Sequence, residues 1–515
     1  MVQASTQIAD GPVTAQDTQL AAEYVRGAKF FDVLIVGAGL SGIGAACHLQ
    51  QECPSKTFAI LEARQVIGGT WDLFRYPGVR SDSDMYTLGY RFRPWQQPKA
   101  IVEGPSILKY IRETAREHGI DRKIRFGHRV LLSSWSSALG LWMVHATIPD
   151  GTAIRFAAKF LFMCSGYYDY DEGYMPGWPG MDRFRGRIVH PQKWPEGLDF
   201  KGRRIVVIGS GATAVTLVPA LAQSAAHVTM LQRSPTYILA RPSKDAIANW
   251  LRPWIGARLA YGFARLKNVL LGIYFYNLAR REPDKTKKRI LRLAQKELGP
   301  YYDVEKHLSP HYKPWDQRLC LIPDADLFSA IRSGRVSIVT DEIATFTETG
   351  LRLKSGEDLE ADIIVTATGL RLKLLGGMQV IFDGTPANIG QTLSYKGLMY
   401  SDIPNLASTF GYINASWTLK ADLIAEYVCR LLNHMDAQGY DVCTPRRRGP
   451  GITEKPALNF TSGYIQRASN ILPKQGSQKP WRLRQNYALD MLELRFGRIE
   501  DGTLEFTRIE KARAI

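Results

Sequence analysis

The sequence predicts an α/β fold with two Rossmann-like dinucleotide-binding domains and a helical insertion. Two glycine-rich loops indicate the domains: residues 37–42 follow the apolar run 31–36, and residues 209–214 follow the run 204–208. Each loop lies between a strand pattern and a helix pattern, the context that distinguishes a dinucleotide-binding loop from a chance match. Residues 250–293 have the pattern of helices rich in apolar, Arg and Lys residues, which predicts the insertion.

The small residues of both loops allow a tight turn, let the backbone approach a pyrophosphate, and direct the N-terminus of the following helix at the phosphates. Two such loops predict two dinucleotides and electron transfer from one to the other. The residues expected to contact the first dinucleotide are Gly37, Gly39, Ser41 and Gly42, and those expected to contact the second are Gly209, Ser210, Gly211, Ala212, Thr213, Ala214 and Val215.

The residue after the second strand of each unit indicates which dinucleotide binds. The strand pattern 58–61 ends in Glu62, whose carboxylate accepts hydrogen bonds from ribose hydroxyls and repels a 2′-phosphate, which suits FAD or NAD. At the corresponding place of the second unit there is no carboxylate, and Arg233 and Ser234 are suited to bind a phosphate. This pattern favours NADPH over NADH; the alternative for Arg233 is a solvated surface residue, but its place at the end of the second strand favours cofactor binding.

Composition limits the class of protein. A hydrophobic content of 45% and a charged content of 22% are ordinary for a soluble globular protein. The net charge of +17 fits nucleic-acid binding, a membrane surface or attraction of a polyanionic cofactor, but no nucleic-acid motif is visible. The six cysteines form no C-x-x-C pair, which predicts reduced thiols in a cytoplasmic protein. The first 30 residues lack the apolar core of a signal peptide and predict a loose arm.

The helical insertion has two interpretations. No apolar run reaches 18 residues, and the uncharged stretch 268–279 has the length of a buried or interfacial helix rather than of a membrane span. The preferred interpretation of residues 250–293 is a helical subdomain that caps the active site. Peripheral contact with a membrane is the alternative.

The order of patterns predicts that the chain passes twice through each domain. The boundaries expected are 1–165 and 380–515 for the first dinucleotide domain, 175–239 and 313–379 for the second, and 240–312 for the helical insertion. Residues 68–82 combine glycines, a Pro-Gly turn, aromatic residues and alternating charges without a regular period, which is typical of a loop that lines a site.

Two motifs resemble those of type I Baeyer–Villiger monooxygenases, flavoproteins that use FAD and NADPH. The family motif F-x-G-x-x-x-H-x-x-x-W-P is matched by Phe184, Gly186, His190, Trp194 and Pro195, with Glu196 where the family has Pro or Asp. A second motif is matched by Gly68, Gly69, Trp71, Tyr76, Pro77, Gly78 and Asp82. The resemblance covers the chain from about residue 30. Segments 75–85, 315–320 and 414–422 are most similar to the ethionamide-monooxygenase branch.

The resemblance implies a reaction. NADPH reduces FAD, O₂ adds to give a C4a-peroxyflavin, and this attacks a ketone carbonyl, whose adduct rearranges to an ester or lactone. By position, Arg318 matches the arginine that stabilises the negative charge, and Asp82 matches the acid that orients it. His190 matches a linker histidine that acts in domain motion, although its chemistry also permits a general base.

The resemblance also implies the cofactor contacts. Beside Ser41, the residues Thr70, Trp71, Asp72 and Leu73 are expected to line FAD, Val130 to contact its adenine, and Arg80 and Ser81 to face the nicotinamide nucleotide. Many family members have lysine where this chain has Gln317, a departure that weakens the expected preference for NADPH. No metal cluster is visible.

The sequence leaves rival functions open. The expected substrates are ketones and soft heteroatoms such as sulfides, together with O₂. The nearest alternative is a flavin monooxygenase that oxygenates nitrogen or sulfur without Baeyer–Villiger activity. A nucleotide-binding sensor without turnover is a rival from another class. The natural substrate and the oligomeric state are not encoded in any motif.

Overall fold

The computed structural model describes residues 25–448, 451–458 and 460–509 of the chain. Most of the arm predicted over the first 30 residues lies outside this part. The α-helices are α1 (Leu40–Glu52), α2 (Thr70–Leu73), α3 (Met85–Leu88), α4 (Gly104–Glu117), α5 (Ala212–Leu221), α6 (Ala246–Arg281), α7 (Pro283–Leu298), α8 (Val304–Leu308), α9 (Asp326–Arg332), α10 (Trp417–Gln438), α11 (Gly463–Arg467) and α12 (Tyr487–Met491).

The strands run in chain order from β1 to β27. They are β1 (Lys29–Val36), β2 (Phe58–Glu62), β3 (Ile124–Phe126), β4 (Arg129–Ser136), β5 (Leu141–Thr147), β6 (Ala153–Met163), β7 (Tyr168–Gly173), β8 (Arg187–Val189), β9 (Arg204–Ile208), β10 (His227–Gln232), β11 (Ile238–Arg241), β12 (Cys320–Pro323), β13 (Val336–Thr340), β14 (Ile343–Phe346), β15 (Gly350–Leu353), β16 (Asp358–Glu360), β17 (Ile363–Thr366), β18 (Leu370–Leu372), β19 (Gln379–Phe382), β20 (Thr385–Pro386), β21 (Ser394–Tyr395), β22 (Met399–Tyr400), β23 (Leu406–Ser408), β24 (Val442–Pro445), β25 (Glu454–Pro456), β26 (Lys474–Gly476) and β27 (Leu504–Thr507).

The first sheet has the order β20-β19-β4-β5-β6-β1-β2-β3, with β23 beside β6. Strands β1, β2, β3, β6 and β23 pair in parallel, while β5 pairs antiparallel with β4 and β6. Side chains of β1 alternate between two cores, since Ile35 packs on the side of α1 and α10 whereas Leu34 packs on the opposite face. Burial on both faces explains the continuous apolar run that the sequence shows here.

The second sheet is parallel throughout, with the order β13-β10-β9-β17-β8. Helices α5 and α9 cover one face, where Val207 of β9 contacts the core that includes Val215 and Phe328. The opposite face packs Val206 against the antiparallel strands β14 to β16 through Leu351. These two sheets confirm the predicted α/β class with Rossmann-like units. The domain boundaries proposed from the sequence remain a prediction.

Both glycine-rich loops begin where a central strand ends, and the first glycine of each lies against the end of a neighbouring strand. Gly37 has φ 107° and Gly209 has φ 133°, a backbone region that favours glycine. A Cβ on Gly37 would lie 2.6 Å from the carbonyl oxygen of Cys164, and one on Gly209 would lie 2.3 Å from that of Ala367. Close approach of backbone to backbone therefore requires glycine at both positions.

The insertion consists of helices α6, α7 and α8. Helix α6 contains a kink at Gly256, whose φ is 78°. Residues 268–279, predicted as a buried or interfacial helix, are helical, but only Val269 and Ala279 among them are buried, whereas Leu270 and Tyr274 are exposed. None of the helices among the described residues is long and apolar enough to cross a membrane. All six cysteines are buried and unpaired.

A buried ion pair fastens the insertion to the first sheet. Arg265 of α6 donates to Oδ2 of Asp422 on α10 at 3.2 Å, and both side chains are less than a tenth exposed. The second guanidinium nitrogen donates to the carbonyl oxygens of Tyr86 at 2.9 Å and Gly89 at 2.7 Å. Since an unpaired charge is costly to bury, these contacts hold α6 in one position on the domain.

Candidate functional site

A cleft opens at the carboxyl edge of the first sheet, beyond the last residues of β1, β2 and β6. It has a volume of about 480 Å³, within the roughly 300–1,000 Å³ of small-molecule and cofactor sites. The predicted residues that line it are Gly37, Gly39, Ser41, Glu62, Thr70, Trp71, Arg80, Ser81, Asp82, Val130 and Arg318. The fold therefore brings together residues that are up to 281 positions apart.

The N-terminus of α1 is built to receive a phosphate. Gly39 caps the helix without a side-chain hydrogen bond, and no acidic residue lies in the first turn. The first N–H groups of the helix are therefore free for an anionic ligand. Gly42 has a different role: a Cβ there would lie 1.8 Å from the carbonyl oxygen of Gly37, so the third glycine serves the packing of α1 on its own loop.

Glu62 lies at the end of β2 and is buried. Its Oε2 accepts a hydrogen bond from the N–H of Ala38 at 2.7 Å, and its Oε1 accepts one from the N–H of Arg64 at 2.8 Å. Burial raises the pKa of this carboxyl group. Each carboxylate oxygen retains a lone pair for a further donor, so the residue can also accept hydrogen bonds from ribose hydroxyls.

Asp72 and Leu73 do not line the cleft. Asp72 is buried and forms ion pairs with Arg64 at 2.6 Å, Arg112 at 2.9 Å and Arg75 at 3.4 Å. These pairs fix the short helix α2, which the sequence pattern did not show. The structure places Asp72 where it holds the loop 68–82 in shape.

Several aromatic residues of the cleft were missed by the sequence analysis. Trp417, the first residue of α10, donates from Nε1 to Oγ of Ser41 at 2.7 Å and stacks on Tyr167 with ring centroids 5.2 Å apart. Tyr170 contacts Oγ1 of Thr70 at 3.2 Å, and burial raises its pKa to about 12. For the tyrosines, the local signal was the Gly/Pro/Tyr-rich composition of the chain after residue 166. This composition did not indicate which ring faces the site.

Arg318 and Asp82 form a two-point ion pair at the edge of the cleft. Nε of Arg318 donates to Oδ2 of Asp82 at 3.1 Å, and Nη2 donates to Oδ1 at 3.1 Å. The negative charge of Asp82 raises the pKa of the guanidinium further above its ordinary value. Arg318 therefore keeps its positive charge throughout the physiological range, and the carboxylate fixes its direction.

A second space lies on the other side of Arg318, and we call it the aromatic chamber. Its lining residues are Tyr167, Arg318, Phe410, Gly411, Tyr412, Ile413, Trp417, Leu458, Phe460, Tyr464 and Ile465. Arg318, Tyr167, Tyr412 and Trp417 line both the chamber and the cleft. Arg318 is thus a positive charge at the boundary between a dinucleotide-sized cleft and an apolar pocket.

The second glycine-rich loop lies outside the cleft, at the carboxyl edge of the second sheet. Gly211 caps α5 without a side-chain hydrogen bond, and the first turn of the helix has no acidic residue. Arg233 and Ser234 follow β10, are exposed, and lie near the loop, because Oγ of Ser210 donates to the carbonyl oxygen of Ser234 at 3.1 Å. The contact of these residues with a phosphate-bearing nucleotide stays a prediction.

Arg80 connects the two sites. It extends from the loop 68–82 to the second unit, where Nη1 pairs with Asp326 at 2.5 Å and Nη2 donates to the carbonyl oxygen of Val215 at 3.4 Å. His190 lies in a linker instead: its Nδ1 accepts from the N–H of Gln192 at 3.2 Å, and burial lowers its pKa. His190 lies outside the cleft, and its hinge role stays a prediction.

The comparisons with known proteins agree with this geometry. Residues 92–375 match the model described as FMO-like, flavin-binding monooxygenase-like, and residues 35–95 match a NAD(P)-binding Rossmann-like domain. The chain belongs to the flavin-binding monooxygenase-like family. It is 56% identical to the FAD-containing monooxygenase EthA of Mycobacterium tuberculosis over 481 residues, 93% of this chain and 98% of that protein. The enzyme of the same name from Mycolicibacterium smegmatis is 52% identical over the same share of each chain.

Solved structures of the same fold include two monooxygenases. An oxidized steroid monooxygenase bound to NADP superposes with a TM-score of 0.70 at 20% identity, covering 93% of this chain and all of that one. An open cyclohexanone monooxygenase has a TM-score of 0.71 at 20% identity with the same coverage. The family member described here is an FAD-containing monooxygenase whose cofactors are FAD and NADPH. The resemblance to type I Baeyer–Villiger flavoproteins near EthA is confirmed.

Substitution of Gly211 by alanine separates cofactor binding from folding. Gly211 has an ordinary extended φ of −79°, and a Cβ there meets no protein atom within 4 Å. Only a pyrophosphate lying against the backbone would be obstructed, so we expect the KM for NADPH to rise about tenfold or more. FAD content and thermal midpoint should not change. An unchanged KM would mean that no phosphate approaches this glycine.

Substitution of Arg233 by alanine tests the choice of nucleotide. A charge-assisted hydrogen bond to a phosphate contributes about 1.5–3 kcal/mol, so the KM for NADPH should rise about 10- to 150-fold. The KM for NADH, which lacks the 2′-phosphate, should stay within about twofold. Steady-state kinetics with both nucleotides measure the two effects. An equal rise for NADPH and NADH would contradict a 2′-phosphate site at Arg233.

Proposed function

We propose that this monooxygenase inserts one oxygen atom of O₂ beside a ketone carbonyl and releases an ester or lactone. The overall balance is ketone, O₂, NADPH and a proton to ester, water and NADP⁺. The observation that supports this proposal is the fixed positive charge of Arg318, held by Asp82 at the boundary of the cleft and the aromatic chamber.

The cofactors are assigned to residues as follows. We propose that FAD binds in the cleft on Gly37, Gly39, Ser41, Glu62, Thr70, Trp71, Asp82 and Val130, with Gly42 allowing the close packing of α1 and with Asp72 and Leu73 fixing the loop beneath it. We propose that NADPH binds at the second edge on Gly209, Ser210, Gly211, Ala212, Thr213, Ala214, Val215, Arg233 and Ser234, and that its nicotinamide end reaches Arg80 and Ser81 at the cleft. The uncapped N-termini of α1 and α5 fit the two pyrophosphates.

When bound and reduced by NADPH, FAD supplies an oxygen atom of O₂ in a form that transfers to a substrate. The task of Arg318 is to stabilise the negative charge that develops on the carbonyl oxygen as the ketone is attacked. A guanidinium suits this role because it stays protonated and does not release its proton to the reacting oxygen. Asp82 removes the freedom of Arg318 to turn away, so the charge is in place before the reaction starts.

We propose that the aromatic chamber, with a volume of about 10 Å³, receives only the end of the ketone nearest Arg318, and that the rest of the substrate lies in the adjoining cleft, which shares Arg318 with it. Apart from Arg318, its lining is aliphatic and aromatic, with tyrosine hydroxyls at Tyr167, Tyr412 and Tyr464. Burial raises the pKa of Tyr167 and Tyr412 well above the ordinary value, so both hydroxyls are neutral at physiological pH. Such a lining favours apolar substrates beside the charge of Arg318.

The same arrangement permits oxygen transfer to a thioether. Sulfur accepts an oxygen atom without forming a negatively charged carbonyl adduct, so this reaction does not need Arg318 in the same way. We therefore propose sulfoxidation as a second activity of the same site. A monooxygenase that oxygenates nitrogen or sulfur alone is the alternative function.

Product analysis tests the proposed function. The purified protein is incubated with NADPH, ¹⁸O₂ and a panel of linear, cyclic and aryl ketones, and the products are identified by mass spectrometry. We expect esters or lactones that carry one heavy oxygen atom. A parallel reaction in H₂¹⁸O with ordinary O₂ is the control and should give no label. If NADPH is consumed and an added sulfide gives a labelled sulfoxide, but no ketone gives an ester, the result would favour a monooxygenase that oxygenates nitrogen or sulfur alone.

A further inference from the structure

Helix α6 exposes a long row of large apolar side chains. We call the exposed apolar residues of α6 between 247 and 275 the apolar stripe; its most exposed members are Trp250, Trp254, Leu259, Leu266, Leu270 and Tyr274. Trp254 is 76% exposed and Leu259 67%. The kink at Gly256 divides the stripe, and beyond it Leu259, Phe263, Leu266, Leu270 and Tyr274 recur every three or four positions, so they follow one side of the helix. At 1.5 Å per residue this part, from residue 257 to residue 275, is about 27 Å long.

The buried side of α6 carries mostly smaller side chains than its exposed side. It contacts the protein through small residues such as Ala248, Ala260 and Ala264, and through the ion-paired Arg265. A surface helix of a soluble domain normally turns its large apolar residues inward and its charges outward. In residues 247–275, all described, Arg258 is the exposed charged residue. The orientation of α6 therefore requires a partner that covers the stripe.

The segment that follows the stripe is strongly basic. Between residues 280 and 296, which span the end of α6 and most of α7, eight side chains are basic and two are acidic. Lys285, Lys288, Arg289 and Arg292 of this segment are exposed. An anionic surface complements this charge, which favours a lipid surface with negative headgroups as the occupant of the stripe.

We propose that α6 docks the protein on an anionic membrane surface, with the apolar stripe at the boundary of headgroups and acyl chains and the basic segment 280–296 on lipid phosphates. The indole and phenol groups of Trp250, Trp254 and Tyr274 are suited to the headgroup level, where one end of the ring is apolar and the other is wet. Since the helix does not span, it lies in the plane of the interface.

The docking face is joined to the site by direct contacts. Tyr276, directly after the stripe, packs edge-on against Trp315 with ring centroids 5.5 Å apart, and Arg280 pairs with Asp316 at 2.5 Å. Both contacts are made to the loop that carries Arg318. The membrane-facing helix and the positive charge of the proposed site therefore belong to one connected part of the protein.

Vesicle flotation of the full-length, FAD-loaded protein tests the docking surface without reference to turnover. The probes are vesicles of phosphatidylcholine alone and vesicles that also contain phosphatidylglycerol. We expect binding to the anionic vesicles, weaker binding to the neutral ones, and a decrease in high salt, because salt screens attraction to lipid charge. Absence of binding to both kinds of vesicle would overturn the proposal.

A matched pair of variants locates the surface. Phe263 on the stripe is 50% exposed, and Phe30 at the start of β1 is 47% exposed. Phe263→Glu should lower the partition coefficient on anionic vesicles about tenfold or more, the factor expected when one large apolar side chain no longer inserts. Phe30→Glu should leave it unchanged. Equal effects of both substitutions, or no effect of either, would contradict docking through α6.

Two further readouts keep the test decisive. Flavin absorbance shows whether each variant is folded, and Leu259→Ser on the same stripe replaces Phe263→Glu should the latter fail to fold. Sedimentation velocity without lipid tests whether a second copy of the chain covers the stripe instead. The proposal would be overturned if the native protein is a dimer that Phe263→Glu dissociates and if it binds no vesicles. The stripe would then be assigned to a second copy of the chain.

Discussion

An enzyme in which alanine replaces Arg318 is expected to form ester from ketone about a thousandfold more slowly than the native protein. Two unit charges about 4 Å apart interact by roughly 4 kcal/mol at an effective dielectric constant near 20, and this energy corresponds to about three orders of magnitude in rate. Removal of Arg318 also leaves Asp82 without its partner at the edge of the cleft, which adds a negative charge where negative charge develops. The rate of ester formation under saturating NADPH measures the effect.

The reductive half-reaction serves as the control for this variant. The rate of flavin reduction by NADPH, measured without O₂ as the loss of flavin absorbance, should stay within about tenfold of the native rate. The reason is that Arg318 is proposed to act on the later step. Sulfoxidation should fall less than ester formation. Arg318→Lys keeps the charge but loses the two-point pair with Asp82, so it should recover part of the rate. Ester formation that survives in Arg318→Ala would contradict the proposed role.

Replacement of Arg265 by methionine is expected to destabilise the protein by about 3 kcal/mol, the lower end of the cost of breaking a buried ion pair, because Asp422 keeps its contacts with His48 at 3.7 Å and with the N–H of Arg91 at 3.1 Å. Asp422 would remain buried, and the carbonyl oxygens of Tyr86 and Gly89 would each lose a donor. Because α6 is held through this pair, we expect the insertion to loosen first. Thermal unfolding and limited proteolysis between residues 240 and 312 measure the change.

Two substitutions calibrate this result. Arg258→Met removes an exposed charge from the same helix and should change stability by about 0.5 kcal/mol or less. The double variant Arg265→Met, Asp422→Leu removes both charges of the pair and should recover part of the lost stability, since His48 then loses its contact with Asp422. Loss of stability in Arg258→Met as large as in Arg265→Met would show that the buried pair is not what holds α6.

The sequence predicted those parts of the fold that depend on neighbouring residues. Each glycine-rich loop lies directly between its strand and its helix, so a local pattern is sufficient, and the requirement for glycine at 37 and 209 is met at the ends of β1 and β9. The pairing of Arg318 with Asp82, 236 positions apart, was expected only from the resemblance, because no local pattern connects them.

Other parts of the site depend on contacts that a local pattern does not encode. Trp417 meets Ser41 across 376 positions, and no local pattern gives the orientation of this ring. Asp72 was expected to line FAD, yet the three arginines that surround it come together only in the fold. Helix α6 shows a related limit, because apolar periodicity is the same whether the stripe faces the core or the surroundings.

The most direct test of the central proposal is one incubation with ¹⁸O₂, NADPH and a compound that carries both a ketone and a thioether. Both groups then meet the same enzyme, cofactor supply and oxygen concentration, so the products report the chemistry of the site alone. We predict an ester or lactone with one heavy oxygen inserted beside the former carbonyl, accompanied by labelled sulfoxide. Labelled sulfoxide as the sole oxygenated product, with every ketone intact while NADPH is consumed, would contradict Baeyer–Villiger function.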